Sequence, residues 1–454
     1  MRVLLVNPSQ IGLVHKKGRV YNRKWPPTDL ANCAALLEHA GAEVSIIDAN
    51  AEDAPPQEVA RRSHGFDKAF VTSTSLDRWQ CPHLDLTPFL ETTHALREVV
   101  PEVYVMGTHG TVRPVEILEA SGARAVLRGE PERTILDLVN GNPLPEIRGI
   151  TFHNGDGPVS NPEQKPVNMD ELPLPAWHLL PMDRYHYEVL GDRFSLFEMS
   201  RGCASHCTFC LLKTYGGGVR KKSLDRMARE VEDAVRNHGV RRAYFIDLEF
   251  TVLRKQVVEF CHWLIRQNYD FSWCCQTRLD LVDDELLALM KRAGCRLIHF
   301  GVEAANDEIL ANVEKEITVR EIEEGLRKVH AAGIESACFF LMGFPESTRK
   351  DMDDIVHFAK KLNITYALFH VVAPYPGTGL YEQVKNDPNL RFSDDSLFPE
   401  AVEARFTLGE LKAMTRNAYL TYYLRPAYVM TRLKKRDFRA LANQLRLFRA
   451  FVSA

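Results

Sequence analysis

Short β-rich apolar runs alternate with helical stretches twice along this chain, at two different spacings, and that alternation narrows the fold more than any other feature. In the first series Val3–Val6, Val44–Ile47, Ala69–Thr72, Val103–Met106 and Ala125–Leu127 read as strands, with helices over Leu30–His39, Thr93–Val100 and Val115–Ala120 between them. Strand–helix–strand repetition of this length makes neighbouring strands parallel and buries them on both faces. The expected result is a doubly wound sheet whose ligands sit beyond the carboxyl ends of its strands. A second series begins at Phe194 with strands near 194–199, 243–247, 272–277, 297–302, 337–342 and 366–372, each followed by an amphipathic helix. Six such units predict a partial (β/α)6 barrel, open on one side, with its chemistry again at the strand carboxyl ends.

These readings divide the 454 residues into a doubly wound domain over 1–141, an extended linker over 142–193, the barrel over 194–385 and a short helical region over 386–454. The linker contains Leu172-Pro173-Leu174-Pro175-Ala176-Trp177 and its proline spacing suits neither helix nor strand. A formal net charge of -3 argues against a nucleic-acid surface. The opening apolar run is too short for a signal peptide, and no segment reaches the roughly 20 apolar residues of a membrane span. Ten cysteines without an export signal imply reduced thiols and a cytoplasmic setting. Cys261, Cys274, Cys275, Cys295 and Cys338 fall in apolar periodic segments and are assigned to core packing. The basic end of the chain, Arg432, Lys434, Lys435, Arg436, Arg439, Arg446 and Arg449, interleaved with Leu and Phe, suits either a membrane surface or a solvated face over the barrel. The second reading is preferred.

The chemistry concentrates in Ser200-Arg201-Gly202-Cys203-Ala204-Ser205-His206-Cys207-Thr208-Phe209-Cys210, where three cysteines stand at C-x3-C-x2-C spacing. A four-iron, four-sulfur cluster takes a thiolate at each iron, so three thiolates leave one iron open to bind and reduce another molecule. The competing reading is a zinc knuckle with His206 as fourth ligand, although structural zinc usually takes paired C-x2-C ligands. In the first series the candidate binding residues are those of the strand-end loops: Asn7, then Ser73 to Trp79, Gly107 to Thr111, and Gly129-Glu130. Glycines at 107, 110 and 129 would let the backbone approach a bulky ligand.

The cysteine triplet with Phe209 before its last member resembles the signature of the radical S-adenosylmethionine (SAM) enzymes. Together with the first series of strands, it resembles their cobalamin-dependent subclass. The resemblance implies a [4Fe-4S] cluster on Cys203, Cys207 and Cys210, with SAM bound at the open iron and cleaved to a 5′-deoxyadenosyl radical. It also implies an external electron donor such as flavodoxin or ferredoxin, and a small-molecule substrate. Carried onto this sequence, it places Asp247 and Glu249, without the glycines, where radical SAM enzymes usually have a Gly-Gly-Glu run for the methionine amine. Glu303 resembles the acidic residue for the ribose hydroxyls or the amine, and Gly343 the glycine against which adenine lies. His370 opens a run ending Pro374-Tyr375-Pro376-Gly377-Thr378 that closely matches the subclass. Gln276 and Arg278 end the third barrel strand. Arg278 is read as a clamp for a carboxylate of cofactor or substrate, in preference to a structural pair with Asp280.

The same resemblance makes Asn7, Ser73, Thr74, Leu76, Trp79, Gly107, His109, Gly110, Thr111, Gly129 and Glu130 the cobalamin site. No D-x-H-x-x-G motif follows the first strand. His15 and Gly18 have the H-x-x-G spacing, but Leu13 stands where the aspartate would be, so His15 is read as a loop histidine. Leu76 and Trp79 are expected to cover the lower face of cobalt. The implied activity is methylation of an unactivated carbon, or phosphorus, through methylcobalamin and the deoxyadenosyl radical. The alternative is a cobalamin-dependent radical enzyme that cyclises or rearranges without methylating.

Overall fold

In the computed structural model, which describes residues 1–10, 24–73, 84–212, 214–215 and 218–434, the chain forms two compact units. One comprises Met1–Tyr187, Gly191–Gly202 and Leu212–Arg242; the other comprises Glu188–Leu190, Cys203–Leu211 and Ala243–Ala454.

The first unit is built on β1 (Arg2–Asn7), β2 (Glu43–Asp48), β3 (Lys68–Thr72), β4 (Glu102–Met106), β5 (Ala125–Leu127), β6 (Ile150–His153) and β7 (Pro158–Ser160). They lie in the order β2-β1-β3-β4-β5-β6-β7. Strands β1 to β5 pair in parallel. Val3, Leu4, Leu5 and Val6 are each 0% exposed, as expected of a strand covered on both faces. The helix Thr28–His39, entered through Pro26 and Pro27, turns eight buried residues inward, among them Leu30, Cys33 and Leu37. The order reverses between β1 and β3, and in doubly wound sheets such a reversal marks the ligand recess beyond the strand carboxyl ends.

One edge of this sheet departs from the all-parallel expectation. Strands β6 and β7 pair antiparallel, inside the stretch read as an extended linker. Ile150, Thr151 and Phe152 are buried while His153 is exposed, and the turn between the strands carries Gly155 at φ 102° and Gly157 at φ 148°. Turn glycines flanked by β-branched and aromatic residues outweigh the surrounding prolines. Farther along, the proline-spaced segment forms only single turns, Trp177–Leu179 and Met182–Arg184, with Trp177 fully buried.

The second sheet is built on β8 (Phe194–Phe197), β9 (Arg242–Phe245), β10 (Ser272–Thr277), β11 (Cys295–Glu303), β12 (Glu335–Met342) and β13 (Tyr366–Val371), and its strand order follows the chain order. Strands β10 to β13 pair in parallel. Phe245, Phe250, Phe260 and Trp273 form one aromatic cluster with ring centroids 5.1–5.4 Å apart. Capping boxes start three helices: Thr318 with Glu321, Thr348 with Asp351 and Thr407 with Glu410. The last of these, Leu408–Tyr423, covers the free edge of β13. Ala367 N–H donates to Tyr423 Oη at 3.0 Å and Phe369 N–H to Tyr419 Oη at 3.1 Å.

Arg432 corrects the picture of a solvated basic tail. Its side chain is buried, lies 5.0 Å over the Tyr366 ring and donates to Thr365 O at 3.0 Å. Lys435, Arg436, Arg439, Arg446 and Arg449 lie outside the described residues. Among the described residues no helix is long and apolar enough to cross a membrane.

Candidate active site

The three cysteines occupy a loop of bends and turns introduced by Gly202 at φ 88°. Backbone bonds fix the middle of this loop: Thr208 N–H donates to Val313 O at 3.1 Å, and Leu380 N–H donates to Thr208 O at 2.9 Å. The Cys207 and Cys210 thiols are hydrogen-bonded to each other. This bond is the main reason the Cys207 thiol is pulled down to about 7, with Lys315 and Arg278 adding their charge against the effect of burial. The same bond, together with burial, pushes Cys210 well up. Cys203 points elsewhere: its Sγ accepts Ser205 N–H at 3.4 Å, and burial followed by the Glu249 carboxylate pushes it up to about 11.

Around this loop stand the ends of β9, β10 and β11. Ser205 Oγ donates to Glu249 and accepts from Arg278 Nη1 at 3.2 Å. Arg278 is fully engaged. Its Nε and Nη2 each meet Asp280 at 3.0 Å, while Nη1 and Nη2 donate to Lys315 O and Glu316 O at 2.7 Å. The pair with Asp280, set second in the sequence reading, is present. Arg278 acts as a brace between the cysteine loop and the turn at 315–316. Glu303 is buried in a left-handed conformation, φ 64°, and pairs with Lys315 Nζ at 3.1 Å. Burial raises its carboxyl, and Lys315 draws it back.

The remaining barrel candidates have these surroundings. Asp247 is buried just past the end of β9. Gln276 Oε1 accepts from Tyr244 Oη at 3.1 Å. Phe209 packs edge-on against Phe344 at 5.6 Å. His370 is exposed at the end of β13, its ring 6.1 Å from that of Phe339. Gly343 takes φ 93°, and a Cβ there would lie 2.8 Å from Leu411 Cδ2, so Leu411 already fills the space that the missing side chain frees.

In the first unit, Asn7 is buried at the end of β1 and donates to Asp48 Oδ1 at 2.7 Å; Tyr185 Oη donates to Asp48 Oδ2 at 2.7 Å. Asn7 Oδ1 and Ser73 Oγ, at the ends of the two strands flanking the recess, are buried without a hydrogen-bond partner among the described residues. Thr111 ties two strand-end loops together, accepting Gly129 N–H at 2.9 Å and donating to Gly107 O at 3.0 Å. Gly107 and Gly129 have φ 107° and 73°. His109 is 0% exposed, and Gly110 packs so closely that a Cβ would lie 2.5 Å from Val126 Cγ1. Thr74, Leu76 and Trp79, like His15, lie outside the described residues.

Both carboxylate oxygens of Glu130 meet arginines. Arg201 Nη1 reaches it at 2.9 Å, and Arg220 binds its other oxygen. Arg201 also meets Glu132 at 2.6 Å and Glu198 at 2.9 Å, with all four side chains at most 6% exposed. Burial alone would lower the Arg201 guanidinium, but the Glu132 and Glu130 carboxylates hold it above its ordinary range. Beside it, burial pulls Lys222 down to about 8 despite its 2.8 Å bond to Glu230. The sequence reading missed this cluster, along with Ser205 and Lys315. The run Gly129-Glu130-Pro131-Glu132 was visible, but its partners lie about 70 positions away.

Among the described residues no three His, Cys, Asp or Glu side chains converge as a finished metal site. The chemistry of the donors nevertheless fits an iron–sulfur cluster: three thiols share one loop, two of them touch, and Lys315 and Arg278 stand close enough to oppose thiolate charge. The unsatisfied Asn7 Oδ1 and Ser73 Oγ and the left-handed loop glycines likewise fit a polar ligand at the recess of the first sheet.

Residues 197–359 match the radical SAM superfamily. An uncharacterized methyltransferase of Pyrococcus horikoshii is 30% identical over 447 residues, covering 94% of this chain and 93% of that one. The anaerobic magnesium-protoporphyrin IX monomethyl ester cyclase of Rubrivivax gelatinosus is 26% identical, covering 94% and 78%. Among solved structures, the radical S-adenosylmethionine methyltransferase TsrM of Kitasatospora setae, with tryptophan substrate and aza-SAM bound, superposes with a TM-score of 0.71 at 18% identity, over 94% of this chain and 90% of that one. The cobalamin-dependent S-adenosylmethionine radical enzyme OxsB gives a TM-score of 0.70 at 15% identity, over 99% and 71%. The fold is thus that of the cobalamin radical SAM enzymes. The chain belongs to the radical SAM superfamily, in the same family as the Pyrococcus protein, and is a radical SAM enzyme.

Proposed function

We propose that this enzyme is a cobalamin-dependent methyltransferase acting on an unactivated carbon, or phosphorus, of a small metabolite. The observation that carries the reading is the single loop bearing Cys203, Cys207 and Cys210, with Glu249 and the Glu303–Lys315 pair in the same unit. The full-length likeness to the Pyrococcus methyltransferase supports methyl transfer. Similarity to the Rubrivivax cyclase over 94% of this chain favours a second reading, radical cyclisation without methylation.

When bound, the cluster supplies one electron to SAM and the corrinoid carries the methyl group. Cys203, Cys207 and Cys210 would hold the cluster, and their loop is braced by Arg278 through Ser205. Glu249 and Glu303 would take the amine and ribose hydroxyls of SAM, a task for which ionised acceptors suit cationic and hydroxyl donors. Asn7, Ser73 and the backbone at Gly107 and Gly129 would hold the corrinoid. Electrons would come from an external donor such as flavodoxin or ferredoxin.

The test is anaerobic turnover of the reconstituted protein with SAM, a reductant and candidate substrates. The methyltransferase reading expects S-adenosylhomocysteine, 5′-deoxyadenosine and a product heavier by one methyl. Deoxyadenosine without homocysteine would select the cyclase reading. Zinc in the loop and no corrinoid uptake would overturn both.

A further inference from the structure

Lys315 is buried beside the cysteine loop, and the backbone around it is unusual. Glu314 and Glu316, its two neighbours, take φ 53° and 52°, and its partner Glu303 takes φ 64°. Non-glycine residues enter the left-handed region at a cost in free energy and stay there only where their surroundings hold them. Here the restraints are explicit. The helix Asp307–Asn312 closes with Lys315 N–H on Leu310 O and Glu314 N–H on Ala311 O, the bonding of a helix end that usually places glycine where Glu314 stands. Arg278 donates to Lys315 O and Glu316 O, and the cysteine loop donates Thr208 N–H to Val313 O. On the opposite side β11 bulges between Gly301 and Glu303. A Cβ on Gly301 would lie 2.2 Å from Glu303 Oε1 and 2.7 Å from Lys315 Nζ, so a side chain there would displace the pair.

The result is a buried ammonium group on a turn tied to the cysteine loop by the Thr208–Val313 bond and by Arg278, which meets both Ser205 and Lys315 O, in surroundings too dry to screen it. Resting on the reading of the loop as an iron–sulfur site, we propose that Lys315 is a positioning residue that compensates the thiolate charge of the loop and thereby sets the reduction potential of the cluster bound there. Adding an electron adds a negative charge, which a fixed neighbouring cation stabilises.

The experiment uses the full chain, reconstituted anaerobically with iron and sulfide and titrated with dithionite as the one-electron source, with the reduced cluster followed by electron paramagnetic resonance. Lys315→Met is expected to make reduction about tenfold less favourable, a midpoint about 59 mV more negative for one electron. Lys315→Arg is expected to restore most of the difference. Glu303→Gln, which removes the opposing carboxylate, should move the midpoint the other way and keeps the test open if Lys315→Met does not fold. Lys315→Met that takes up no iron while Lys315→Arg does also supports the proposal. An unchanged midpoint in Lys315→Met, or in Glu303→Gln where Lys315→Met does not fold, overturns it, as does equal loss of iron in both Lys315 variants. A wild-type protein that takes up zinc and no iron instead refutes the cluster reading on which the proposal rests.

Discussion

Arg201 has carboxylates on three sides and almost no water. Removing it strands Glu130, Glu132 and Glu198 in a dry interior, so Arg201→Met should destabilise the protein by about 3–5 kcal/mol, as read from chemical unfolding. Replacing an exposed cation such as Arg229, paired with Asp225 on a helix surface, should cost about 0–1 kcal/mol. The cysteine triplet was legible because its members are adjacent in sequence and the spacing itself encodes the chemistry. Arg201 was not, because two of its partners, Glu130 and Glu132, lie about 70 positions away. Arg278 shows a subtler limit: its strand-end position was read correctly, but the sequence could not show that Asp280, Ser205 and two carbonyls use all its N–H groups.

Between elements, Asp48 ends β2 and receives hydrogen bonds from Asn7 on β1 and from Tyr185. Burial dominates and raises its carboxyl from 3.8 to about 6, although these bonds oppose the shift. The unfolded chain therefore ionises first as pH rises. The stabilising contribution is complete below about pH 4 and is lost as pH rises through about 6, a change on the order of 3 kcal/mol. Unfolding free energies across this range should fall more steeply with pH in the wild type than in Asp48→Asn, the difference being the contribution of Asp48. A second prediction concerns the covered edge of β13. Tyr423→Phe removes a hydroxyl that both accepts from Ala367 N–H and donates to Ala367 O, and should cost about 1–3 kcal/mol. Faster hydrogen exchange at the Ala367 amide would locate the effect. The barrel strands were legible from their long spacing and apolar content. The β6–β7 hairpin was not, because its strands have four and three residues and begin among prolines.

For the molecule as a whole, cysteine placement separates core from site. Cys33, Cys261, Cys274, Cys275, Cys295 and Cys338 are buried in the sheets and helices, whereas in the loop Cys207 is buried and Cys203 and Cys210 are partly accessible. Burial pushes the thiols of Cys261, Cys274, Cys275 and Cys338 up, which further slows their reaction. Brief alkylation of the metal-free native protein, mapped by mass spectrometry, should follow accessibility and mark Cys203 and Cys210, with Cys33, Cys261, Cys274, Cys275, Cys295 and Cys338 marked only after denaturant is added. Labelling of Cys274 or Cys275 under native conditions would contradict the barrel core described above. The alternation that defines both sheets was readable at this scale because strand burial and helix periodicity leave separate marks in sequence.

The reversal of strand order beside β1 has an evolutionary consequence. A recess framed by main chain takes its shape from topology, so mutational drift along the strands can run far before that geometry degrades.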